Sequence, residues 1–291
     1  IGVVTVQSYK SNAFNESHLS MLKTLGSYAA IAIDNADKHL KLNTANQALL
    51  TTQKELQDSY KLMQKISVTD QLTRLKNRHF LVGHINKDID KTLREYKNVY
   101  RQNTDTIPDD IDMVFFIIDL DHFKVTNDNH GHNAGDKVLK SVADILKQLF
   151  RESDYIIRWG GEEFLVVARF TNREKAPKLA ERLRASVANH QFKIDDKTTI
   201  YQSCSIGFAC FPFVQKHEPK LNWEQVVEIA DQCLYAAKKT GRNAWVGVYG
   251  SENSDCIEFM ENLAIEPGQL LSNKEMRLES SFSSETELIW K

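Results

Sequence analysis

The feature that most restricts the fold is an unbroken apolar run, MVFFII, at residues 113–118. The run is far too short to span a membrane. It shows no alternation of polar and apolar residues, which is the pattern of a strand buried on both faces. A strand of this kind needs a sheet that helices cover, so the run predicts the centre of a layered domain.

Strands and helices alternate around this run from Ser67 onward, with a polar loop at 103–110. Apolar residues in steps of three and four predict helices, and short apolar runs between turn residues predict strands. The predicted helices cover residues 78–96, 136–149, 175–189 and 223–239, and the predicted strands cover 113–119, 155–159, 164–168, 199–211 and 244–248. This order predicts an α/β (α+β) fold with a mixed central sheet flanked by helices.

The N-terminal part follows a different pattern. Residues 1–9 predict a strand, and a long helical rhythm begins after Ser17. The rhythm continues with apolar residues seven apart, at Leu42, Leu49, Leu56 and Met63. Heptad spacing keeps one seam facing a partner helix, so residues 34–66 predict a parallel two-stranded coiled coil. A single helix packed on its own domain is the alternative.

Charge and composition narrow the class of protein. The 37 Lys and Arg residues nearly balance the 39 Asp and Glu residues, which argues against a binder of nucleic-acid polymers or membrane surfaces. Four cysteines without a C-x-x-C pair predict reduced core thiols in a cytosolic protein: Cys204, Cys210, Cys233 and Cys256. We therefore expect a cytoplasmic location and no membrane segment in this chain.

Both ends of the chain lie outside the predicted core. The first residue is Ile1 rather than Met, and we expect a piece of a longer protein whose sensory parts lie elsewhere, with a membrane tether of the full-length protein left open. Residues 250–291 are rich in Ser and Glu and lack a clear period. They predict a mostly disordered or loosely docked tail of unassigned function.

A tight turn carries two glycines followed by two carboxylates, at Gly160, Gly161, Glu162 and Glu163. Glycine permits positive φ angles and close approach of a ligand to the backbone. Two adjacent carboxylates repel each other unless a cation joins them. Taken alone, this pattern is more typical of a surface hairpin with two solvated glutamates.

A second polar cluster follows the apolar strand and favours a ligand site over a surface hairpin. Asp119 lies at the strand's C-terminal end, where ligand sites gather in α/β sheets. Together with the hairpin carboxylates it forms the hard oxygen set that suits Mg²⁺, which in turn holds phosphates. Asn127, His132 and Asp136 lie in the polar stretch that follows, and Asn and Asp side chains suit the edge of a purine. The alternatives are a turn aspartate at 119 and a helix N-cap at 136.

Residues 67–249 resemble the GGDEF family of diguanylate cyclases, with G-G-E-E-F in place of G-G-D-E-F at 160–164. The opening motif reads DQLTRLKNR at 70–78, and the next two read DLDHFK at 119–124 and NDNHGHNAGD at 127–136. A closing motif spans residues 230–243. The resemblance implies a nucleotidyl-cyclase fold like the polymerase palm. His79 and Cys233 depart from the family's common residues, at positions without a catalytic role.

The resemblance also implies an activity. Family members condense two GTP molecules into cyclic di-GMP, and two subunits of a homodimer each hold one GTP. Mg²⁺, or Mn²⁺, would be held by the carboxylates of Asp119 and Glu162 and the backbone carbonyl of Leu120. Glu162 would help to deprotonate the attacking hydroxyl, with Glu163 beside the metals.

The remaining site residues carry over from the same motifs. Guanine would be recognised by Asn127 and Asp136, with His132 nearby. Lys124 would stabilise charge on the phosphates during transfer, and Lys238 and Arg242 would hold the terminal phosphates. Gly160 and Gly161 would contact the substrate. Without the resemblance, two cationic residues four apart, such as Lys238 and Arg242, would indicate only a solvated helix face.

An R-x-x-D motif precedes the glycine pair, at Arg151 and Asp154. Its spacing matches the family's product-binding inhibitory site, and Arg182 corresponds to the second arginine of that site. A planar guanidinium grips phosphate and stacks on guanine, so the resemblance implies feedback inhibition by cyclic di-GMP. A surface ion pair is the alternative, since R-x-x-D is common by chance.

The N-terminal residues resemble the end of a GAF sensory domain, in its last strand and exit helix. The implied organisation is a GAF remnant at 1–36, a coiled-coil linker at 37–66, the cyclase domain at 67–249 and the tail at 250–291. Three rival functions stay open: a silent receptor for GTP or cyclic di-GMP, a cyclase making a mixed guanine–adenine product, and a dimerising scaffold. The intact signature residues favour the active cyclase.

Overall fold

A computed structural model describes residues 2–11, 13–66, 68–101, 107–215, 220–251, 270 and 273–290. The chain divides into two compact units, Ile1–Ile66 and Ser67–Lys291.

The first unit is dominated by one helix, α1 (Glu16–Ile66). At its start the Asn15 side chain accepts a hydrogen bond from the His18 N–H at 3.0 Å, which caps the first turn. The predicted helix is therefore confirmed, and its heptad residues lie exposed in the single chain: Leu42 at 56%, Leu49 at 65%, Leu56 at 70% and Met63 at 73%. Within the described part of the chain, α1 and every other helix is too short or too polar to cross a membrane.

The strand predicted over residues 1–9 is wrong for the described residues 2–9, which form no strand. A strand needs a neighbour that takes up its backbone hydrogen bonds. No described segment pairs with these residues, and Val3, Val4 and Val6 lie exposed. The valines of the segment are therefore present without a sheet that would bury them.

The second unit contains the sheet and the helices around it. Its long strands are β2 (Asp112–Leu120), β3 (Tyr155–Gly160), β4 (Glu163–Thr171), β7 (Cys204–Phe211), β8 (Trp245–Gly250) and β9 (Met276–Ser280), and its two-residue strands are β1 (Lys76–Asn77), β5 (Phe192–Lys193) and β6 (Thr199–Ile200). Its helices are α2 (Arg78–Arg101), α3 (Phe123–His130), α4 (His132–Leu149), α5 (Ala176–Ala188) and α6 (Trp223–Thr240), with a 3₁₀ turn at Arg173–Lys175.

The main sheet is mixed, with strand order β1-β3-β4-β2-β7-β8-β9. Strand β2 lies in the middle, antiparallel to both β4 and β7, and all nine of its residues are buried. Its side chains alternate between two cores: Met113, Phe115 and Ile117 pack with residues of α2 and α6, and the residues between them pack with α4 and α5. The unbroken apolar run is thus explained by helices on both faces, and the predicted α+β class is confirmed.

The polar stretch after β2 differs from the sequence expectation. It forms α3 and then α4, which begins at His132 rather than at the predicted residue 136. Gly131, at φ +81°, separates the two helices, so Asp136 lies inside α4 and is not its N-cap. The sequence analysis did not predict α3 because this helix has no apolar stripe, and Phe123 is its one buried residue.

The tail also differs from the expectation where the structure describes it. Residues 276–280 form β9, antiparallel to β8, so the tail is ordered over this segment. The expected disorder of residues 252–269 and 271–272, and the packing of Cys256, lie outside the described residues. The other three cysteines are buried, and burial raises the pKa of Cys210 to about 12, as a core thiol requires.

The close packing of β7 on α6 gives the first testable prediction. A Cβ added at Gly207 would lie 2.0 Å from the Ala230 carbonyl oxygen and 2.2 Å from the Leu234 backbone nitrogen. Gly207→Ala should therefore lower the free energy of unfolding by about 3 kcal/mol in urea denaturation. Gly83→Ala is the matched control, because open space surrounds Gly83 on α2 and alanine favours the helix. Equal stability of the two variants would contradict this packing.

Candidate active site

Strand pairing brings the acidic residues of two motifs together. Asp119, next to last in β2, lies opposite Glu163 at the start of β4 and opposite Ser205 on β7. Side chains directly opposite each other in antiparallel strands have Cβ atoms about 4.5–5.5 Å apart and point to the same face. The predicted grouping of the Asp119 motif with the hairpin carboxylates is therefore present.

Lysine 238 reaches this group from the last turn of α6. Its Nζ atom lies 2.8 Å from Asp119 Oδ2, and Asp119 itself is buried. Burial raises the pKa of Asp119 above its ordinary value, and the nearby Glu162 adds to the rise, although Lys238 opposes it. One ammonium group thus compensates only part of the negative charge.

Negative charge also exceeds positive charge around Glu163. Burial raises its pKa, the charges of Asp119, Asp231 and Glu162 raise it further, and Lys238 lowers it. Two carboxylates at about 4 Å repel by about 4 kcal/mol at an effective dielectric constant of 20. A further cation would relieve that repulsion, and this is the electrostatic condition that favours a bound divalent ion.

The donor set suits Mg²⁺ that is shared with phosphates. Within the described ranges no three His, Cys, Asp or Glu side chains form a preassembled metal cage. Mg²⁺ typically takes one or two protein carboxylates and fills its octahedron with water and phosphate oxygens. Asp119 and Glu162 can supply the carboxylates, and Leu120 is the last residue of β2, adjacent to Asp119.

An arginine on β3 holds the Gly-Gly turn in place. Arg158 donates from Nε and Nη2 to the Gly161 carbonyl oxygen at 3.1 and 2.8 Å, and from Nη1 to both carboxylate oxygens of Asp70 at 3.1 Å. Asp70 also accepts from the backbone and hydroxyl of Thr73 at 2.8 and 2.7 Å. Arg158 therefore fixes the turn to the opening motif, a role that the sequence analysis did not assign.

The Gly-Gly turn needs glycine at its second position. Gly161 has φ +47°, in the left-handed region that side chains with a Cβ disfavour. A Cβ added at Gly160 or Gly161 would meet no atom within 4 Å, so the space above the turn is open. The backbone of the turn is thus accessible to a ligand, and ligand binding there stays a prediction.

Asp121, the second aspartate of the D-x-D motif, has a structural role. Its carboxylate accepts from the Ser203 and Ser205 hydroxyls, both at 2.7 Å, and from the Asn243 N–H at 2.9 Å. These bonds tie the turn that follows α6 to the end of β2. Spacing in the sequence could mark Asp121 as buried beside Asp119, but not its distant partners.

Helices α3 and α4 bring together the residues expected to read a base. A Cβ added at Gly135 would lie 2.0 Å from Asn127 Oδ1, so only glycine lets the amide rest against α4, next to Asp136. Asn127 and Asp136 are half-buried, whereas His132 and Lys124 are exposed. The structure therefore supports one polar surface for the first two residues.

Two of the residues expected at the phosphates, Lys238 and Arg242, lie at the end of α6. Lys238 is in its last turn and contacts Asp119, as described above. Arg242 follows the helix in the left-handed region, at φ +61°, and is exposed. Lys238 therefore reaches the carboxylates, a contact that the sequence analysis did not assign, and Arg242 lies four residues beyond it, in a turn. Phosphate binding by these two residues stays a prediction.

The R-x-x-D motif forms a turn held by hydrogen bonds to the backbone and not an ion pair between Arg151 and Asp154. Asp154 accepts from the backbone N–H groups of Arg151 at 2.9 Å and Arg169 at 3.0 Å, so its carboxylate is engaged by the backbone. The Arg151 side chain is exposed. Arg182 donates to the Leu149 carbonyl at 2.5 Å, two residues before Arg151. Arg182 is thus brought to the same turn.

Comparison with known families agrees with this geometry. A family model described as "Diguanylate cyclase, GGDEF domain" matches residues 67–244. The chain belongs to the GGDEF family. The match covers the whole site from the opening motif to the turn after α6, and the signature occurs here as G-G-E-E-F.

Named relatives share the GGDEF domain. The diguanylate cyclase DgcP of Pseudomonas aeruginosa is 37% identical over 177 residues, which are 61% of this chain and 23% of that protein. Diguanylate cyclase A of Treponema denticola is 30% identical over 80% of this chain and 52% of its own length. The chain thus spans about a quarter to half of the length of these relatives.

A solved structure is also similar to this chain. The crystal structure of the coiled coil and GGDEF domain of DgcB from Caulobacter crescentus, in complex with c-di-GMP, is 25% identical over 69% of this chain and 96% of that one, with a TM-score of 0.47.

The raised pKa of Glu163 gives a prediction for the metal-free GGDEF domain. A carboxyl that holds its proton more tightly when folded stabilises the protein fully at low pH and loses that contribution as pH rises through its folded pKa. Glu163→Gln carries no such charge, so its stability relative to the native protein should increase as pH rises above 4.5, the ordinary pKa of the group. Urea denaturation in EDTA at several pH values measures this difference.

The control for this prediction is Glu152→Gln, at an exposed position in the turn before β3. Its stability relative to the native protein should stay constant with pH, because a solvated carboxyl gains little from losing its charge. An identical pH dependence of the two variants would contradict the carboxylate repulsion at the site.

Proposed function

We propose that this chain is a Mg²⁺-dependent diguanylate cyclase that condenses two GTP molecules into cyclic di-GMP and two pyrophosphates. The observation that carries the proposal is the pairing of β2 with β4, which sets Asp119 opposite Glu163 beside the open Gly-Gly turn. Membership of the GGDEF family and the relatives named diguanylate cyclase support the same activity.

The reaction is two equivalent phosphoryl transfers. In each, a ribose 3′-oxygen forms a bond to the α-phosphorus of the other GTP, the bond to the bridging oxygen breaks, and pyrophosphate leaves. The 3′-hydroxyl proton goes to a base, for which Glu162 is the candidate. Such transfers need positioning and charge neutralisation more than covalent help from the protein.

The acidic residues supply the metal ligands in this proposal. Asp119 and Glu162 would hold Mg²⁺ through their carboxylates and Leu120 through its carbonyl, while Glu163 stays beside them. A bound Mg²⁺ would neutralise phosphate charge and orient the α-phosphate. The excess negative charge around Asp119 and Glu163 supports this assignment because it falls when a cation binds.

In this proposal polar residues bind the base of GTP and cationic residues bind its phosphates. We assign guanine to Asn127 on α3 and Asp136 on α4, where the Asn127 amide rests against Gly135, and the exposed His132 lies at the start of α4. Lys238 and Arg242 would bind the terminal phosphates and Lys124 the charge that develops during transfer. The contact of Lys238 with Asp119 keeps its ammonium group at the carboxylates.

Two GTP molecules require two sites, and we propose that a homodimer supplies them. The exposed heptad residues of α1 form an apolar stripe that a second copy of the helix would cover, as in a parallel coiled coil. We assign residues 1–36 to the end of a GAF sensory domain. Through α1 such a domain would set how two cyclase sites meet.

Product inhibition is the regulatory part of the proposal. The turn at Arg151 and Asp154 leaves the Arg151 guanidinium exposed, and Arg182 lies at the same turn. Two arginines can grip the phosphates of cyclic di-GMP and stack on its guanines. Binding there would lower the turnover of the cyclase.

The role of Glu162 can be tested by substitution. Glu162→Ala should lower cyclic di-GMP formation from GTP and Mg²⁺ by about 100-fold or more, because the variant lacks a metal ligand and the candidate base. Chromatography of the nucleotide products measures the effect. Glu152→Ala, at an exposed carboxylate ten residues earlier, should keep normal turnover. Substantial product from the first variant would overturn the role assigned to Glu162.

The inhibitory site gives a separate prediction. Arg151→Ala should leave the initial rate unchanged and raise the concentration of cyclic di-GMP that halves it by about tenfold, the cost of one charged hydrogen-bonding contact. Arg94→Ala, at an exposed arginine on α2, is the control and should keep the native inhibition curve. Equal inhibition of the native protein and both variants would contradict the regulatory assignment.

A further inference from the structure

The C-terminal tail forms part of the cyclase unit, although it lies beyond the residues that the family model matches. Strand β9 pairs with β8 over five positions, from Val246 opposite Ser280 to Gly250 opposite Met276. Met276 is 5% exposed and joins the core that α6 covers. The tail thus extends the sheet of the catalytic unit by one strand.

Arg277 anchors the tail by its charge. Its Nη2 atom donates to both carboxylate oxygens of Glu174 at 2.8 and 2.9 Å, and its guanidinium lies 4.0 Å from the centre of the Tyr249 ring. Guanidinium groups favour both kinds of contact. This anchor holds β9 at the end of the sheet far from Asp119, next to the 3₁₀ turn.

After β9 the tail returns to the end of α6. The Ser281 N–H donates to the Trp245 carbonyl at 3.0 Å, and the Ile289 N–H donates to Thr240 Oγ1 at 3.0 Å. The Phe282 ring lies so close to Gly241 that a Cβ there would be 3.3 Å from it. The tail therefore contacts both residues at the helix end, Thr240 and Gly241.

These two residues lie between the proposed phosphate ligands. Lys238 precedes them by two positions, and Arg242 follows directly. Arg242 and Asn243 both have positive φ angles, +61° and +44°, which residues with a Cβ adopt at an energetic cost. Such a turn persists only where surrounding contacts hold it.

Several contacts hold this turn from within the family-matched region. The Asp121 carboxylate accepts from the Asn243 N–H at 2.9 Å, and Arg184 Nη1 donates to Asn243 Oδ1 at 2.9 Å. Both act on residue 243. The contacts of the tail act on residues 240 and 241, so the tail complements them at the other end of the turn.

We propose that residues 276–290 form a positioning strap that fixes the turn at 240–243 and thereby sets Lys238 and Arg242 for the terminal phosphates of GTP. The inference rests on the proposed function of these two residues. Phe282 in the strap and Thr240 at the end of α6 are the positioning residues, since they connect the tail to the turn and touch no reacting atom. The strap thus gives the proposed phosphate site a support that residues 67–244 alone do not contain.

Two tail variants separate positioning from simple docking. Phe282→Ala removes the ring beside Gly241, whereas Leu278→Ala removes a half-buried apolar side chain on β9 that packs on the same core. Both weaken the packing of the tail, but only the first acts directly on the turn. Thr240→Val, which loses the acceptor for the Ile289 N–H, and Thr240→Ser, which keeps it, form a second pair.

The first measurement is amide hydrogen exchange of the full chain without nucleotide. The N–H groups of Arg242 and Asn243 are hydrogen-bonded, to the Ala237 carbonyl and to Asp121, so their exchange reports on the turn. We expect about tenfold faster exchange in Phe282→Ala and Thr240→Val, with native rates in Leu278→Ala and Thr240→Ser. Unchanged exchange in the first two variants would overturn the strap.

The second measurement compares the dissociation constants of GTP and GMP in Mg²⁺ by calorimetry, with GTP supplied as its 3′-deoxy form, which lacks the attacking hydroxyl and is not turned over. Loss of the strap should raise the constant for GTP about tenfold and leave that for GMP unchanged, since GMP lacks the terminal phosphates. An equal rise for both nucleotides, or none for GTP, would overturn the phosphate role. Turnover is assayed in parallel: a native protein that binds GTP without making cyclic di-GMP would refute the proposed cyclase while the binding ratio still decides the strap.

Discussion

The antiparallel pairing of β2 with β4 and β7 determines the rest of the site. It buries Asp119 between two strands and sets Glu163 on one side and Ser205 on the other. Burial and repulsion from neighbouring carboxylates raise the pKa of Asp119 and of Glu163, and one ammonium group, on Lys238, compensates only in part. The strand that forms the centre of the core thus ends in an arrangement that favours a divalent cation.

Three segments around this centre are each fixed by a contact between residues that are distant in the sequence. Arg158 joins the Gly-Gly turn to Asp70, the Asp121 carboxylate joins the turn after α6 to β2, and Phe282 brings the tail against that turn. Loops carry the candidate ligands, while the sheet and these contacts hold them in place. A small displacement at a positioning residue would therefore change catalysis without removing any reacting group.

Much of this could be predicted from the sequence, because local patterns report burial and periodicity. The run at 113–118 predicted the central strand, and the glycine pair predicted the hairpin. Pairings between distant residues leave no such signal: the bond from Arg158 to Asp70 joins residues 88 apart, and β9 depends on a partner strand rather than on its own pattern. The strand expected at 1–9 fails for the same reason, since a strand forms only where a partner exists.

The most direct test of the central claim is incubation of the native protein with GTP and Mg²⁺ at several protein concentrations, followed by chromatography of the products. The account predicts cyclic di-GMP and pyrophosphate in a 1:2 ratio, with a rate per protein molecule that rises with protein concentration until the dimer is saturated. Tight GTP binding without any cyclic dinucleotide, at every concentration, would contradict it.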